Sequence, residues 1–189
     1  MTNDDTSRFG GRLLLGATGS GAVAMLPMYI SALRSQFSGT ITVLMTHTAA
    51  TFLPAHTAAL FADKVVTGES AASWPVDNHV SLAADHDLLA VLPATANILS
   101  ATASGAAPNL LGTTILHASF PVVFFPVMTG GMWKKQAVQR NVQQLRADGY
   151  EVIDPDWGQR YDVGLGKFVD SPMPPAPPRF IDVVRNSMP

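Results

Sequence analysis

Short apolar runs that alternate with helical segments constrain this chain more than any other feature. Residues 12–17, 41–45, 88–92, 113–117, 122–125 and 151–153 read as strands. Residues 21–36, 49–61, 96–103 and 134–146 read as helices. The last of these carries Ala137, Val138, Val142 and Leu145 on one face, with Gln, Arg and Lys elsewhere. Gly149 follows as its stop, and the next strand starts at once. Such an alternation predicts an α/β architecture: an open, mostly parallel sheet with helices on both faces.

At 189 residues the chain suits one domain with a full core. That domain is expected to span residues 1–154. Residues 155–178 differ in kind, holding Gly158, Gly164 and Gly166, then Pro172, Pro174, Pro175, Pro177 and Pro178. They read as no regular element, but as a mobile spacer or a flap over a binding site. Residues 179–189 form a tail, with one short helix over 179–186 packing back on the body.

Apolar residues make up 47% of the chain and charged residues 14%, against about 25% charged in an average domain. So few charges predict surface buried against other subunits, hence a homo-oligomer. The net charge of −2 and the lack of a basic run argue against a nucleic-acid partner. Zero cysteines exclude disulfides, thiolate metal sites and a cysteine nucleophile within this chain. Residues 13–33 carry no charge, yet Gly16, Thr18, Gly19, Ser20, Gly21 and Pro27 break the run. A buried strand, a turn and a buried helix account for it, so neither a membrane segment nor secretion is expected and the location is cytoplasmic.

Four segments carry chemistry. The first, Gly16-Ala17-Thr18-Gly19-Ser20-Gly21, follows the first strand. Glycines allow close backbone approach, Thr18 and Ser20 add hydroxyls, and the following helix directs N–H groups at the same spot, as a phosphate requires. It is neither a P-loop nor a strict G-x-G-x-x-G motif. The second, Thr46-His47-Thr48-Ala49-Ala50-Thr51-Phe52, repeats the arrangement after the second strand. Thr46 or Thr48 either caps the helix or reaches a phosphate or ribityl chain.

The third is Asn78-His79, after a loop with Trp74 and Pro75; a histidine here is a candidate base near neutral pH. No histidine pair has the spacing of a helical metal site, and no metal is expected. The fourth, Pro93-Ala94-Thr95-Ala96-Asn97, is either a capped helix start or a small-residue platform for a planar ring. Beyond these lies Pro126-Val127-Met128-Thr129-Gly130-Gly131-Met132-Trp133, between the 122–125 strand and the next helix. It reads either as a tight strand-to-helix turn or as the edge of a flat aromatic cofactor, which two methionines and a tryptophan suit.

Taken in order, these segments resemble the homo-oligomeric flavin-containing cysteine decarboxylases over roughly residues 11–172. That family has an Asn-His pair, here Asn78-His79, and a Pro-Ala-Ser-Ala-Asn-Thr motif, here Pro93-Ala94-Thr95-Ala96-Asn97-Ile98. Its Pro-x-Met-Asn-x-x-Met-Trp motif corresponds to Pro126 through Trp133, with Thr129 where the family has asparagine. Its substrate clamp corresponds to Tyr161-Asp162-Val163-Gly164-Leu165-Gly166-Lys167-Phe168.

The resemblance implies a Rossmann-like flavoprotein fold, a single domain plus a C-terminal clamp loop. FMN is then bound between subunits of a trimer, with trimers assembling into dodecamers. Gly16, Thr18, Gly19, Ser20, Thr46, Thr48 and Phe52 are the implied FMN phosphate and chain contacts. Pro93, Ala94, Thr95, Ala96, Asn97, Met128 and Met132 would border the ring. Gly130, Gly131, Trp133, Gly166, Lys167 and Phe168 would contact substrate, with His79, Asn78 and Thr129 at the reacting cysteine.

In that family a C-terminal cysteine is oxidised to a thioaldehyde, which loses carbon dioxide to give an ene-thiol. Phosphopantothenoylcysteine decarboxylases, which are also similar, then reduce the ene-thiol with a cysteine near the clamp. This chain has none, so the resemblance implies an oxidative enzyme acting on a ribosomally made precursor peptide ending in cysteine and building aminovinyl-cysteine rings. The linaridin (cypemycin) or thioamitide types are implied rather than the best-known lantibiotic type, within ribosomal-peptide biosynthesis that includes the lanthipeptides. At Thr129, Gly130 or Gly131 N–H groups or Lys167 are expected to take part of the asparagine's role. The rival readings are a flavin prenyltransferase, with Arg160 and Lys167 as phosphate ligands, and a non-catalytic FMN-binding regulatory subunit.

Overall fold

The computed structural model describes residues 8–68 and 75–189; Trp74 lies outside the described residues. Six strands form one parallel sheet in the order β3-β2-β1-β4-β5-β6. They are β1 (Arg12–Ala17), β2 (Thr40–Met45), β3 (Lys64–Val66), β4 (Leu88–Ala94), β5 (Val122–Pro126) and β6 (Glu151–Val152). The chain builds outward from β1 through β2 to β3, then returns to lay β4 on the other side of β1. The crossovers leaving β1 and β4 therefore diverge, and their carboxyl ends flank a crevice, the general ligand position in such sheets.

Alternation along the strands splits the core in two. Leu13 and Leu15 of β1 pack with Ile41 and Val43 under α1 (Leu26–Arg34) and α9 (Pro177–Ser187). Leu14 packs with Leu44, Leu89, Val91 and Phe124 on the other face. There it meets α5 (Ala96–Ala103), α6 (Leu110–His117) and α8 (Gln136–Ala147). Helices thus cover both faces, as the alternation of runs requires. The C-terminal helix is locked on by Phe180, whose ring meets those of Phe125 at 5.1 Å and Tyr29 at 5.3 Å.

Several elements differ from the sequence expectation. Residues 113–117, expected as a strand, belong to α6. Asn109 caps that helix by accepting the Gly112 N–H at 2.9 Å, and Leu111, Thr114 and Ile115 turn inward at helical spacing. Capping and burial of one face outweigh the strand preference of the Thr-Thr-Ile run.

The helix expected over 21–36 is a short 3-10 helix, Gly21–Met25, followed by α1 with Pro27 in its first turn. The one expected over 49–61 is two pieces, α2 (His47–Phe52) and α3 (Ala55–Ala58). Pro54 keeps Leu53 extended between them. Residues 79–84 form a further helix, α4 (His79–Ala84). A four-residue turn, α7 (Gly130–Trp133), precedes α8, which starts at Gln136 because Lys135 is extended.

The segment 155–178 is largely regular. Strands β7 (Asp156–Asp162) and β8 (Lys167–Met173) pair antiparallel, Trp157 facing Pro172 and Asp162 facing Lys167. Gly166 turns the chain at φ 62°, and the Asp162 carboxylate accepts the Leu165 N–H at 3.0 Å. Proline is tolerated because a two-stranded ribbon consists only of edges. The ribbon is seated on α7: a Cβ at Gly130 would lie 3.0 Å from the Asp170 carbonyl oxygen, and Lys134 Nζ stands 5.1 Å from the Trp157 ring centre.

Candidate active site

A cleft of about 800 Å³ opens at the carboxyl ends of β1, β2, β4 and β5. Its floor and one end come from residues 18–22 with Met25, Thr46 and Thr48. Residues 95–98 and Asn109 form a second wall, and residues 127–129 with Met132 a third. The β7–β8 ribbon closes the top with Arg160 and residues 171–174.

The turns after β1 and β4 are tied together. Thr18, 3% exposed, donates its hydroxyl to the Pro93 carbonyl at 2.7 Å and accepts the Thr95 N–H at 3.0 Å. The turns after β1 and β2 are pressed together as well. A Cβ on Gly19 would fall 2.3 Å from Thr48 Cγ2, whereas one on Gly21 would meet nothing within 4 Å. Glycine at 19 therefore serves packing between loops, and glycine at 21 leaves open space on the cleft. Ser20 caps the 3-10 helix by accepting the Ala22 N–H at 3.4 Å, and Thr46 caps α2 by accepting the Ala49 N–H at 3.3 Å.

Of the other residues singled out in the sequence, Ala96, Asn97, Met128, Thr129 and Met132 line the cleft. Thr129 caps α7, accepting the Met132 N–H at 3.4 Å. Pro93 and Ala94 lie buried beneath the surface. Gly16 is a packing position, since a Cβ there would come within 2.9 Å of Leu111. Trp133, 8% exposed, joins the core beside Val142 and Leu145 rather than the cleft wall. Phe52, Gly130, Gly131, Gly166, Lys167 and Phe168 are outside the cleft lining.

His79 and Asn78 stand apart from this cleft. Asn78 caps α4 in a reciprocal capping box with Ser81, accepting the Val80 and Ser81 N–H groups at 2.9 and 3.1 Å. His79 opens that helix and meets the His117 ring edge-on, centres 5.3 Å apart. Sequence reasoning did not single out His117, Asn109 or the Ser171 face of the ribbon. The Asn109-x-x-Gly112 cap before an apolar run was the one local signal available.

Among the described lining residues, Arg160 is the charged one. It pairs with Asp162 at 3.0 Å. Asp162 is held below the usual carboxylate range first by the Leu165 N–H and then by Arg160. Among the described residues no cluster of His, Cys, Asp or Glu could hold a metal, and no helix is long and apolar enough to cross a membrane.

The residues present fit FMN. One end of the cleft gathers hydroxyls and the backbone at the start of the 3-10 helix, with open space at Gly21 for a phosphate. The other end is soft and apolar, with Ile98, Val127, Met128 and Met132 for a flat ring.

Sheet order, crevice and cleft chemistry define an α/β protein of the Rossmann-like class, built to hold a phosphate-bearing aromatic cofactor. The chain belongs to the Flavoprotein family, whose model matches residues 2–172. It is 39% identical over 155 residues to mersacidin decarboxylase of Bacillus sp. (strain HIL-Y85/54728), covering 82% of this chain and 79% of that protein. A histidine-to-asparagine variant of the peptidyl-cysteine decarboxylase EpiD, solved with the substrate peptide DSYTC, superposes with a TM-score of 0.83 at 26% identity. That match covers 93% of this chain and 98% of the other. The FMN-dependent cysteine decarboxylase SpaF superposes with a TM-score of 0.74 at 32% identity, over 93% and 94% of the two chains.

Proposed function

We propose that this chain catalyses the FMN-dependent oxidative decarboxylation of the C-terminal cysteine of a ribosomally made precursor peptide. The product is an ene-thiol for aminovinyl-cysteine formation. The observation that carries this reading is the two-ended cleft under the ribbon, in a chain similar along 93% of its length to a decarboxylase solved with a cysteine-ending peptide. The lack of cysteine in this chain favours release of the ene-thiol over its reduction in place.

Bound FMN supplies the two-electron acceptor for the cysteine side chain. The residues of the chain do the rest. The backbone N–H groups of Gly19 and Gly21 and the hydroxyls of Ser20, Thr46 and Thr48 hold the phosphate end. Met128 and Met132 border the ring, with Ala96 and Asn97 on the facing wall. The ribbon covers the peptide terminus and keeps water from it. His79 accepts the thiol proton, a task suited to an imidazole near neutral pH.

His79 does this across a subunit boundary. It lies outside the cleft lining of its own protomer, and exposed apolar residues accompany both places: Met25 in the lining with Met28 and Phe52 on α1 and α2, and Val80 and Leu116 next in sequence to His79 and His117. Joining unlike patches head to tail produces a ring where the rotation closes, and a trimer is the ring we propose, with dodecamers as a further assembly. A linaridin or thioamitide-type product is part of the same proposal.

Incubating the purified protein with short peptides ending in cysteine tests the activity by mass spectrometry. The expected change is a loss of about 46 Da, carbon dioxide plus two hydrogens. Loss of carbon dioxide alone would point to a redox-neutral enzyme, and no change would sink the reading.

A further inference from the structure

We propose that Arg160 is the specificity residue for the free carboxylate of the peptide terminus. This rests on the peptide-decarboxylase reading above. Registration of the ribbon places Arg160 opposite Val169 and on the same face as the Gly158–Ser171 pair. Successive strand residues point to opposite faces, so Trp157, Tyr161 and Phe168 lie on the other one. Ser171, 2% exposed, lines the cleft together with Arg160 and Met173. The inner face of the ribbon thus brings a guanidinium over a cleft whose other described lining residues carry no charge.

The ribbon also rests on the turn that begins at Thr129, through Gly130 against the Asp170 carbonyl oxygen and Lys134 over Trp157. Thr129 commits its oxygen to the Met132 N–H and offers less to a carboxylate than an amide side chain would. Lys167, the other cation of the ribbon, sits beside the hairpin turn and outside the cleft lining. Arg160 is the charged group left to recognise an anion there.

Its guanidinium bonds Asp162 at 3.0 Å and the Tyr161 carbonyl oxygen at 3.5 Å. Five N–H donors belong to such a group, so a fork remains for a carboxylate. Asp162 holds that fork in place before substrate arrives. The bond is made to the ground-state carboxylate, whose charge leaves during decarboxylation. Arg160 therefore acts on substrate binding and selection more than on the chemical step.

A guanidinium at this place would also suit the cofactor phosphate, and the experiment separates the two anions. FMN-loaded native protein, Arg160→Gln and Arg160→Lys are titrated with a labelled peptide ending in serine instead of cysteine, as free acid and as amide. The native protein is expected to prefer the acid about tenfold or more, in keeping with charge-assisted hydrogen bonds. Arg160→Gln should lose that preference with amide affinity and FMN content unchanged, and Arg160→Lys should keep part of it. With cysteine peptides, KM should rise while kcat holds. An acid preference that survives Arg160→Gln, its absence from the native protein, or loss of FMN in place of peptide preference would overturn the proposal. Mass loss from the cysteine peptide by the native protein reads the activity separately, so the two ideas fail independently.

Discussion

The Thr18 hydroxyl donates to the Pro93 carbonyl oxygen at 2.7 Å, joining the turns that leave β1 and β4 at the point where the sheet reverses direction. A residue expected to hold the cofactor phosphate thus has a prior task, that of fixing the width of the crevice. Thr18→Val keeps the shape but strands the buried Pro93 carbonyl and the half-buried Thr95 N–H. The expected cost is about 1–3 kcal/mol, read as a lower midpoint in urea, with weaker FMN binding alongside. Thr18→Ser should restore both. A Val variant as stable as the native protein would remove the tie from the account.

Two neighbouring glycines should respond oppositely. Gly19→Ala sets a methyl against Thr48 at 2.3 Å, with the Thr48 Cβ at 2.5 Å behind it. The loops must separate, and both thermal stability and FMN content should drop. Gly21→Ala meets no protein atom within 4 Å, so stability should hold while FMN affinity falls, because the methyl enters the space we assign to the phosphate. Equal stability losses in the two variants would contradict this division.

At the amino end of the sheet, Arg12 and Asp87 clamp β1 to β4. Asp87 accepts the Arg12 backbone N–H at 2.8 Å and its guanidinium at 2.5 Å. The Arg12 hydrogen bond pulls the Asp87 carboxyl below its ordinary range. A folded-state pKa below the unfolded value of about 3.9 gives stability that is present above that value. It is lost as pH falls through the depressed folded value. Stability curves of native protein and Asp87→Asn should therefore lie apart at neutral pH and converge on acidification below about pH 4. Curves that stay parallel into acid would show that the clamp adds nothing.

His79→Asn tests the proposed base. His79 packs edge-on against His117 and lies outside the cleft of its own chain, so the variant should fold, assemble and keep its yellow cofactor. Loss of about 46 Da from a cysteine-ending peptide should fall by roughly 100-fold or more, the scale of general base catalysis. Undiminished turnover would remove His79 from the mechanism. Mixing this variant with one blocked in the cleft, Gly21→Ala, should restore some activity if sites are shared between subunits. No recovery in verified mixed oligomers would argue for a site within one chain.

β1 and α5 have the bounds that the sequence predicts, and β2, β4, β5 and β6 lie within two residues of prediction. Their signals are local: an apolar run, then a hydroxyl or glycine turn, then a helical period. What escaped was set by tertiary contact. The Thr113-Thr114-Ile115 stretch has strand-like chemistry, and only its burial under the sheet with the Asn109 cap makes it helical. Glycines and prolines hid the β7–β8 ribbon, whose pairing joins residues on opposite sides of a turn. Ser171 was consequently invisible as part of the cleft, and Arg160 was legible only as a phosphate ligand in the flavin prenyltransferase reading. Asn78 and His79 were legible as a pair, yet their distance from the cleft depends on how the chain folds around α4 and α6.

Trp133 separates motif from contact most sharply. It closes the segment read as a cofactor edge, and its neighbour Met132 does line the cleft. The tryptophan itself turns inward, 8% exposed among Val142, Leu145 and Phe124, because α7 is one helical turn and adjacent side chains diverge by about 100°. Its carbonyl oxygen also accepts Gln139 Nε2 at 2.6 Å, fixing the start of α8. Trp133→Ala should therefore destabilise the fold by about 3–5 kcal/mol, visible in denaturant titration without any ligand. Trp133→Phe should recover much of that loss and leave peptide KM close to native. A Phe variant of native stability whose KM rises severalfold would instead place the indole against the substrate.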